Sequence, residues 1–551
     1  MTYTIEKVTT LIGARRYGDN DTNIGFILTD SRSLCFPEET LFFVLKSERN
    51  DGHNYIPELY RRGVKNFVVT DVPKGYASDY PEANFLKVVN TLEALQRLAE
   101  RHRDEFNIPI VGITGSNGKT MVKEWLYQLL SPSMFVTRSP RSYNSQIGVP
   151  LSVWLMNEQT QVGVFEAGIS QPGEMLALRD IIQPTIAVLT NVGSAHQENF
   201  SSLEEKCREK LILFHDAETV VYDGDDEVIT KVVAEYPDYK GEKLFWSLQN
   251  PEAPFYVKKI EKQQSVSVIT YIYKGVEDSF SIPFIDDASI QNSIICAAVA
   301  SKIGLSAEDI DKRMALLEPV AMRLEVKVGQ HGCTLINDSY NSDINSLDIA
   351  LDFMNRRPDH RGRRHTLILS DIYQSGQTPE ALYKEVSDLA RKRGVVKFIG
   401  IGPELCKQHD TIQISEKFFF PNVEEFINSE VFASLRDEVI LLKGARQFGF
   451  DQLTELLVQK VHETTLEVNL NAVVANLNYY RAFMKPETKL VCMIKADGYG
   501  AGAVEIAKTL QDHRVDYLAV AVADEGVTLR KNGITSNIMI MNPEMTAFKT
   551  M

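Results

Sequence analysis

Residues 111–120 read Val-Gly-Ile-Thr-Gly-Ser-Asn-Gly-Lys-Thr, and they decide the fold of the middle of the chain. A β-branched run precedes them, and in residues 121–130 apolar side chains recur every three or four positions. A strand, a glycine loop and an amphipathic helix are typical of a phosphate-binding loop, because glycines let backbone N–H groups approach phosphates. Lys119 would neutralise the outer phosphates, and the Thr120 hydroxyl would reach Mg²⁺. The loop is shorter than the standard one, since Ile113 stands where the first glycine would be.

Length and composition indicate a globular protein of several domains. The 551 residues predict about three or four domains. The formal net charge of −15 argues against a general nucleic-acid-binding protein, whose affinity would come from clustered Lys and Arg. No stretch has the roughly 18–20 apolar residues of a membrane span, and the N-terminus carries no secretory signal pattern. The six scattered cysteines, without a C-x-x-C pair, predict reduced thiols in a cytoplasmic protein.

Short apolar strands alternate with amphipathic helices along the whole chain, which predicts an α/β fold. In the middle of the chain, the apolar runs suit a parallel sheet covered by helices. The last region predicts a strand at 466–470 and then three short β-α units. These are too few to close a barrel of eight strands, so we expect this region to be incomplete. The predicted domain boundaries are 1–105, 106–322, 323–461 and 465–551.

Further polar residues stand where predicted strands end, which is the edge at which parallel sheets bind ligands. They include the loop 144–150, Glu166 and His196. A single acid at a strand end is often a helix cap, but beside a nucleotide loop a Mg²⁺ ligand is favoured for Glu166. His196 alone is better interpreted as a structural hydrogen-bonding residue, because Mg²⁺ prefers oxygen. Residue chemistry does not distinguish Lys210, on the next predicted helix, from its neighbour Lys206.

These motifs together resemble the Mur ligases of peptidoglycan synthesis. The resemblance rests on T-G-S-N-G-K-T at 114–120, the loop 144–150, Glu166 and N-V-G-S-A-H at 191–196, and it extends to about residue 460. It implies a UDP-binding α/β domain, a central P-loop ATPase domain with a parallel sheet, and a C-terminal Rossmann-like domain.

The resemblance also implies a site for ATP and two Mg²⁺ ions. Lys119, Lys210 and His196 would be the catalytic residues, and Lys210 corresponds to a lysine that these ligases carbamylate into a carboxylate-like metal ligand. The implied metal ligands are Thr120, Glu166, His196 and Lys210. The residues implied to bind ATP are Gly115, Asn117, Gly118, Lys119, Thr120, Asn292 and Arg323.

Other motifs indicate the substrates. D-S-R at 30–32 and D-G-H at 51–53 look like uridine-nucleotide-binding positions. N-D-S-Y-N at 337–341 and K-G-A-R at 443–446 are similar to segments of the Mur ligase that adds D-alanyl-D-alanine to a UDP-muramoyl tripeptide. The D-N-P-R motif of the preceding ligase does not occur. The implied substrate-binding residues are Ser31, Arg32, Asp51, His53, Asn144, Asn337, Asp338, Tyr340 and Asn341.

The last region is similar to the start of alanine racemases. L-E-V-N-L at 466–470 and I-K-A-D-G-Y-G at 494–500 carry the likeness, which implies that Lys495 would bind pyridoxal phosphate in a complete racemase. The preceding apolar strand predicts a buried lysine at the end of a strand in a partial TIM-barrel-like segment. We expect the front of a ligase–racemase fusion with no racemase activity of its own. A full racemase domain could make the protein oligomeric.

Taken together, the sequence predicts an ATP-dependent amide ligase that joins D-alanyl-D-alanine to UDP-N-acetylmuramoyl-tripeptide through an acyl phosphate. One alternative is a non-catalytic, nucleotide-binding regulator, against which the joint presence of Glu166, His196 and Lys210 argues. Another is a related ligase such as a folylpolyglutamate synthase, against which residues 337–341 and the racemase-like tail argue. No nucleic acid and no membrane span are expected.

Overall fold

The phosphate-loop strand lies inside the largest sheet of the protein, as the sequence predicts. The computed structural model describes residues 2–34, 36–47, 51–140, 142–193, 199–236, 239–320, 324–339, 343–356, 362–373, 377–445, 448–459, 468–485, 487–543 and 547. Four sheets of three or more strands follow one another along these residues. The domain boundaries given above stay predictions.

The central region forms a nine-stranded sheet in the order β16-β15-β14-β13-β12-β11-β8-β10-β9. Its strands are β8 Ile110–Thr114, β9 Val136–Arg138, β10 Val162–Glu166, β11 Ile186–Leu189, β12 Thr219–Asp223, β13 Glu242–Ser247, β14 Phe255–Lys262, β15 Ser267–Tyr273 and β16 Val276–Ile282. Its helices are α5 Lys119–Leu130, α6 Gly148–Val153, α7 Glu174–Ile182, α8 Leu203–Leu211, α9 Glu227–Ala234, α10 Asp287–Ile303 and α11 Ala307–Met314. The strands from β9 to β14 pair in parallel, and β15 and β16 extend the sheet in antiparallel fashion. Apolar clusters cover both faces, so the sheet is buried as the near-continuous apolar strands predict.

Strand β8 lies between β10 and β11, so strands that follow β8 in the sequence lie on both sides of it in the sheet. A reversal of this kind opens a crevice at the carboxyl ends of the strands, where α/β sheets bind ligands. Helix α5 begins directly behind that crevice, with the apolar side chains Val122, Trp125 and Leu129 buried. The sequence pattern thus places the phosphate loop at the centre of the sheet edge.

The first region holds a five-stranded sheet in the order β2-β7-β6-β5-β4, parallel except for β2. The strands of this sheet are β2 Arg15–Tyr17, β4 Phe26–Leu28, β5 Thr40–Phe43, β6 Asn66–Val69 and β7 Asn84–Lys87. Two further strands, β1 Tyr3–Thr4 and β3 Asn23–Ile24, pair with each other. Its helices are α1 Ile5–Ile12, α2 Ile56–Arg61, α3 Tyr76–Asp79 and α4 Thr91–Arg103.

The third region holds a six-stranded sheet in the order β17-β18-β22-β19-β20-β21, parallel except for β17. Its strands are β17 Glu325–Val328, β18 Thr334–Asp338, β19 Arg364–Ser370, β20 Val395–Ile401, β21 Glu416–Phe420 and β22 Glu438–Lys443. Its helices are α12 Ile344–Arg356, α13 Pro379–Lys392, α14 Pro403–Lys407, α15 Val423–Ile427, α16 Glu430–Ala433 and α17 Phe450–Leu457.

The last region forms three parallel strands, β23 Val491–Met493, β24 Tyr517–Val520 and β25 Asn537–Ile540. Its helical segments are α18 Leu470–Arg481, the left-handed turn α19 Lys495–Gly500, α20 Ala503–Asp512 and α21 Ala523–Lys531. The strand predicted at 466–470 is wrong where the structure describes it, since α18 begins at Leu470. The cause is helix capping, because the Asn469 side chain accepts a hydrogen bond from the backbone of Ala472.

Two general expectations can be compared with the described part of the chain. Within it, no helix combines the length and apolar content that a membrane crossing needs. Five described cysteines are free thiols: Cys207, Cys296, Cys333, Cys406 and Cys492.

A buried histidine joins the first region to the central one. His102 on α4 makes two hydrogen bonds. Its Nδ1 lies 2.9 Å from the Tyr3 hydroxyl, and its Nε2 lies 3.1 Å from the Met156 carbonyl oxygen. Because a carbonyl only accepts, Nε2 carries the proton and the neutral ring accepts from Tyr3 at Nδ1. Beside it, the indole N–H of Trp154 donates to the Gly25 carbonyl, so two buried hydrogen bonds cross the same joint.

We predict that this joint weakens in acid. Burial lowers the pKa of His102 from 6.5 to about 4, so the unfolded chain takes up a proton that the folded chain refuses. Stability is therefore complete above the unfolded pKa and falls as the pH drops toward the folded one, by about 2 kcal/mol between pH 7 and 5. Denaturant unfolding of the protein and of His102→Gln at several pH values measures the difference. An equal pH dependence in both proteins would contradict the assignment.

Candidate active site

The phosphate loop has the backbone geometry that its glycines allow. Gly115 has a φ of 143° and Gly118 a φ of 84°, both in the region that favours glycine. A Cβ on Gly115 would lie 1.9 Å from the Thr190 hydroxyl, and one on Gly118 would lie 2.6 Å from the Asn292 amide oxygen. The segment after β11 holds the loop, because the Asn117 N–H donates to the Asn191 side chain at 2.9 Å. Asn292, predicted to bind ATP, thus lies directly against the loop.

Two lysine side chains meet at one carbonyl oxygen of this loop. The Lys119 ammonium donates to the Gly115 carbonyl at 2.7 Å and to the Ser116 carbonyl at 3.2 Å. From α8, the Lys210 Nζ reaches the same Gly115 carbonyl at 3.2 Å. The two positive groups that the sequence separates by about 90 positions are therefore neighbours at the start of α5.

Burial changes the protonation of the second lysine. It holds the pKa of Lys210 well below its usual value, and the charges of Lys119 and Lys206 act in the same direction. Burial also lowers the pKa of Lys206 to about 8, although Asp343 opposes the shift. Both lysines are buried, so burial does not distinguish them either. Only Lys210 of the two donates to Gly115, since Lys206 donates to the Gly193 carbonyl at 2.6 Å.

Glu166 stands at the carboxyl end of β10, beside the loop. Its side chain is fully buried, and its Oε2 accepts from the Thr120 hydroxyl at 3.2 Å and from the Asn144 amide at 3.4 Å. The Thr120 hydroxyl also lies 3.4 Å from the Ser142 hydroxyl. Thr120, a predicted metal ligand, and Asn144, a predicted substrate-binding residue, thus contact the same oxygen of Glu166, which is itself a predicted metal ligand.

This donor set fits Mg²⁺. A carboxylate and a hydroxyl are hard oxygen ligands, and Mg²⁺ typically takes one or two carboxylates together with substrate phosphates. Across the residues that the structure describes, no three His, Cys, Asp or Glu side chains gather as a metal cage. A site completed by phosphates needs no such cage. His196 lies outside the described residues.

Sequence analysis missed Lys123, which is the closest cation to Glu166. Its side chain is fully buried on α5, and its Nζ lies 3.2 Å from Glu166 Oε1 and donates to the Ser139 carbonyl at 2.9 Å. The Ser139 hydroxyl in turn accepts from the Glu166 backbone N–H at 3.1 Å. One signal was present in the sequence, because Lys123 follows Lys119 by four positions and shares its helix face.

The third region faces the same cavity as the phosphate loop. The cavity has a volume of about 470 Å³, and its walls include Lys119, Thr120, Asn144, Lys210 and Asp338. Asp338, at the end of β18, is paired at 2.6 Å with the fully buried Lys443 of β22. The preceding Asn337 accepts a hydrogen bond of 2.6 Å from Ser339. Arg323, Tyr340 and Asn341 lie outside the described residues.

The predicted uridine-nucleotide residues lie elsewhere, on the first region. Arg32 is exposed and pairs with Asp30 at 2.6 Å, and the Ser31 carbonyl accepts from Arg62. Asp51 accepts from both the backbone and the ring of His53, at 3.0 and 2.7 Å. Asp51 and His53 line a separate cavity of about 370 Å³, apart from the phosphate loop. Local caps and turns therefore account for part of the D-S-R and D-G-H patterns.

The racemase-like lysine is exposed, and the prediction of a buried one is wrong. Lys495 follows β23 and begins a left-handed turn in which residues 496–499 have φ between 51° and 62°. The three described strands of this region form an open sheet. Since an open sheet encloses no interior, the side chain at its carboxyl edge meets solvent.

Comparison with known proteins agrees with both resemblances. Residues 113–300 match the family of the Mur ligase middle domain, and residues 468–550 match the alanine racemase N-terminal domain. The chain is 29% identical over 371 residues to UDP-N-acetylmuramoyl-tripeptide–D-alanyl-D-alanine ligase of Bacillus subtilis, which covers 66% of this chain and 77% of that protein. It is 26% identical over 446 residues to the enzyme of the same name from Borreliella burgdorferi, which covers 79% and 93%.

Solved structures share the fold. MurF from Acinetobacter baumannii superposes with a TM-score of 0.72 at 21% identity, over 83% of this chain and 99% of that one. MurF ligase from Thermotoga maritima, solved in complex with ADP, superposes with a TM-score of 0.66 at 22% identity, over 78% of this chain and 96% of that one.

Residues 113–300 are therefore similar to a Mur ligase middle domain, and residues 468–550 to the alanine racemase N-terminal domain, as the sequence predicts. The MurF-like fold extends from the first region through the third. Both relatives named above carry D-alanyl-D-alanine in their names.

We predict that Lys119→Ala weakens ATP binding while the chain stays folded. The variant loses a charge-assisted contact to phosphate, a loss of about 2 kcal/mol or roughly thirtyfold in affinity. Binding of a fluorescent ATP analogue measures the loss, and circular dichroism checks the fold. Lys231→Ala is the matched control, because Lys231 is an exposed lysine of the same domain, paired with Glu204. Unchanged affinity in Lys119→Ala would remove this lysine from the site.

We also predict that this 551-residue chain does not hold pyridoxal phosphate at Lys495. Added cofactor should give no specific absorbance near ~420 nm, because the exposed side chain lies on an open sheet. Any band from exposed lysines should persist in Lys495→Ala. A band that this variant removes would show a formed cofactor site.

Proposed function

We propose that this chain is an ATP-dependent amide ligase that joins D-alanyl-D-alanine to UDP-N-acetylmuramoyl-tripeptide. One observation carries the proposal. A single cavity brings the phosphate loop and two lysines of the central region against Asp338 of the third region, and Thr120 and Asn144 in its wall contact the buried Glu166. A nucleotide site that opens onto a second domain suits a reaction in which ATP activates one substrate for attack by another.

The reaction proceeds in two steps that conserve atoms. A terminal carboxylate oxygen of the tripeptide attacks the γ-phosphorus of ATP, and the bond to ADP breaks, which gives an acyl phosphate. The D-alanyl-D-alanine amine then attacks the acyl carbon. A C–N bond forms, the bond to phosphate oxygen breaks, and the amine loses a proton.

The residues of the chain supply charge and position. Lys119 neutralises negative charge that accumulates on phosphoryl oxygens, and it replaces its carbonyl contacts with phosphate contacts. Thr120 and Glu166 would hold Mg²⁺, which supplies further neutralisation of charge on the phosphates. Asp338, fixed by Lys443, presents a carboxylate at the side of the cavity where the dipeptide amine would enter.

The lowered pKa of Lys210 and its place beside the phosphate loop support the role that the resemblance implies for it. Carbamylation by CO₂ needs an unprotonated nitrogen, and burial beside Lys119 favours that form. The product would carry a carboxylate-like group on a buried stem next to the Gly115 carbonyl. This supports the role that the family resemblance implies for Lys210.

The two ends of the chain support the choice of substrates. The first region holds a cavity lined by Lys46, Asp51, His53 and Asp71, and it includes two of the residues that the resemblance assigns to the uridine nucleotide. Alanine racemases supply D-alanine, from which the dipeptide is made, so a racemase-like segment fits a ligase that consumes this dipeptide.

The ligase assay has a specific expected outcome. Phosphate release from ATP should require UDP-muramoyl tripeptide and D-alanyl-D-alanine together, because the acyl phosphate is consumed only by the dipeptide amine. The measurement is phosphate release with each substrate omitted in turn, combined with mass detection of the UDP-linked pentapeptide.

Two results would contradict the proposal. Equal turnover without the dipeptide would indicate a different acceptor or an uncoupled ATPase. Nucleotide binding without turnover under any combination would favour the regulator. Lys119→Ala serves as the background control in each arm.

A further inference from the structure

The racemase-like segment packs against the ligase at defined positions. The Arg514 guanidinium, just after α20, donates to the backbone carbonyls of Trp154 and Leu155 at the end of α6, to Trp154 at 3.2 Å. The Arg481 guanidinium of α18 lies 5.1 Å from the centroid of the Phe36 ring in the first region. These contacts place α20 beside β9 and α5 of the central sheet.

At this place, five charged side chains alternate in sign from the segment to the active site. We call them the charge series: Asp512, Arg138, Glu124, Lys123 and Glu166. Asp512 Oδ1 lies 3.6 Å from Arg138 Nη1. Arg138 Nε donates to Glu124 Oε2 at 3.1 Å, Glu124 Oε1 lies 2.8 Å from Lys123 Nζ, and Lys123 Nζ lies 3.2 Å from Glu166 Oε1.

The inner members of the series are withdrawn from water. Lys123 and Glu166 are fully buried, whereas the Arg138 and Glu124 side chains are 19% and 22% exposed and that of Asp512 is 45% exposed. The Arg138 guanidinium also lies 3.6 Å from the centroid of the Tyr127 ring. Charges in such surroundings are screened little and keep fixed partners, because an unpaired one is costly.

The series fixes the orientation of the Glu166 carboxylate. Lys123 holds Oε1, which leaves Oε2 directed at Thr120 and Asn144 in the cavity. A carboxylate with one oxygen in an ion pair and the other accepting from two polar side chains is oriented before any cation arrives. This lowers the entropy that cation binding must remove.

We propose that Lys123 is a positioning residue for Glu166, and that the charge series couples docking of the racemase-like segment to Mg²⁺ binding at the ligase site. Asp512 balances Arg138, which leaves Glu124 available to Lys123. When Asp512 is neutral, Arg138 draws Glu124 more strongly, and Lys123 and Glu166 are held less firmly. This inference rests on the proposed function for the identity of the cation.

The experiment measures binding rather than turnover. Mg²⁺ is titrated into the full chain with a fluorescent ATP analogue present, and the Mg²⁺ concentration at half-maximal binding is compared among variants. Asp512→Asn should raise it about twofold to threefold, as expected for a partly exposed ion pair. Lys123→Met should raise it about tenfold or more, because it leaves a buried carboxylate without its partner.

The matched control is Glu505→Gln. Glu505 is an exposed acid on α20, two turns before Asp512, so the variant removes the same charge from the same helix and should leave the midpoint unchanged. Affinity for the analogue without Mg²⁺ should stay constant in all variants, since Lys119 is untouched. A general loss of structure would lower it. If Lys123→Met fails to fold, Glu124→Gln is the second variant, because it keeps Lys123 in place. We expect Glu124→Gln to raise the Mg²⁺ midpoint.

A double variant tests the route of the coupling. If the effect of Asp512 passes through Lys123, Asp512→Asn should add nothing in the Lys123→Met background. Additive effects, equal midpoints for Asp512→Asn and Glu505→Gln, or tighter Mg²⁺ binding in Lys123→Met would each overturn the inference. If no amide forms but the Mg²⁺ midpoints change as expected, the proposed function is contradicted and the coupling is not.

Discussion

The carbonyl oxygen of Gly115 organises the active site, because two lysines from distant parts of the chain converge on it. Lys119 starts the helix behind the loop, and Lys210 comes from α8, which follows β11. The Gly115 φ of 143° lies in the region that favours glycine, so the loop conformation depends on this residue. Burial of the Lys210 side chain, with the Lys119 charge beside it, holds the pKa of Lys210 well below its usual value.

Glu166 shows how a buried acid can be paired beside the phosphate loop. Its two oxygens have different surroundings, one against Lys123 and the other against hydroxyl and amide groups. The cation offsets the cost of burial, whereas the polar face remains open to exchange its partners for a metal ion. An exposed acid at this strand end would keep its charge without help but would also keep its water.

The sequence predicted much of the fold because its signals are local. Apolar runs and helical periodicity identified the strands β8, β10 and β11 and the loop between strand and helix. The missed features depend on tertiary contacts. Burial of Lys206 and Lys210 comes from packing of α8 against the loop, which an acidic-basic helix pattern does not reveal. The pairing of Lys123 depends on Glu166 of β10, which is distant in sequence, and exposure of Lys495 follows from an open sheet. The placement of Asn292 against Gly118 could be named only through family resemblance.

The racemase-like segment contacts the ligase in two ways, through hydrogen bonds to backbone carbonyls and through an ion pair with a side chain. Arg514 donates to backbone carbonyls, which no side-chain substitution on the ligase removes, so this contact holds the segment without depending on the state of the site. Asp512 instead contacts Arg138, a side chain whose other partner is already part of a series of ion pairs. A backbone contact sets position, whereas a shared ionic partner makes the strength of one pair depend on the next. The two residues are two positions apart, so the same docking event that fixes the segment also sets the charge balance at the outer end of the series.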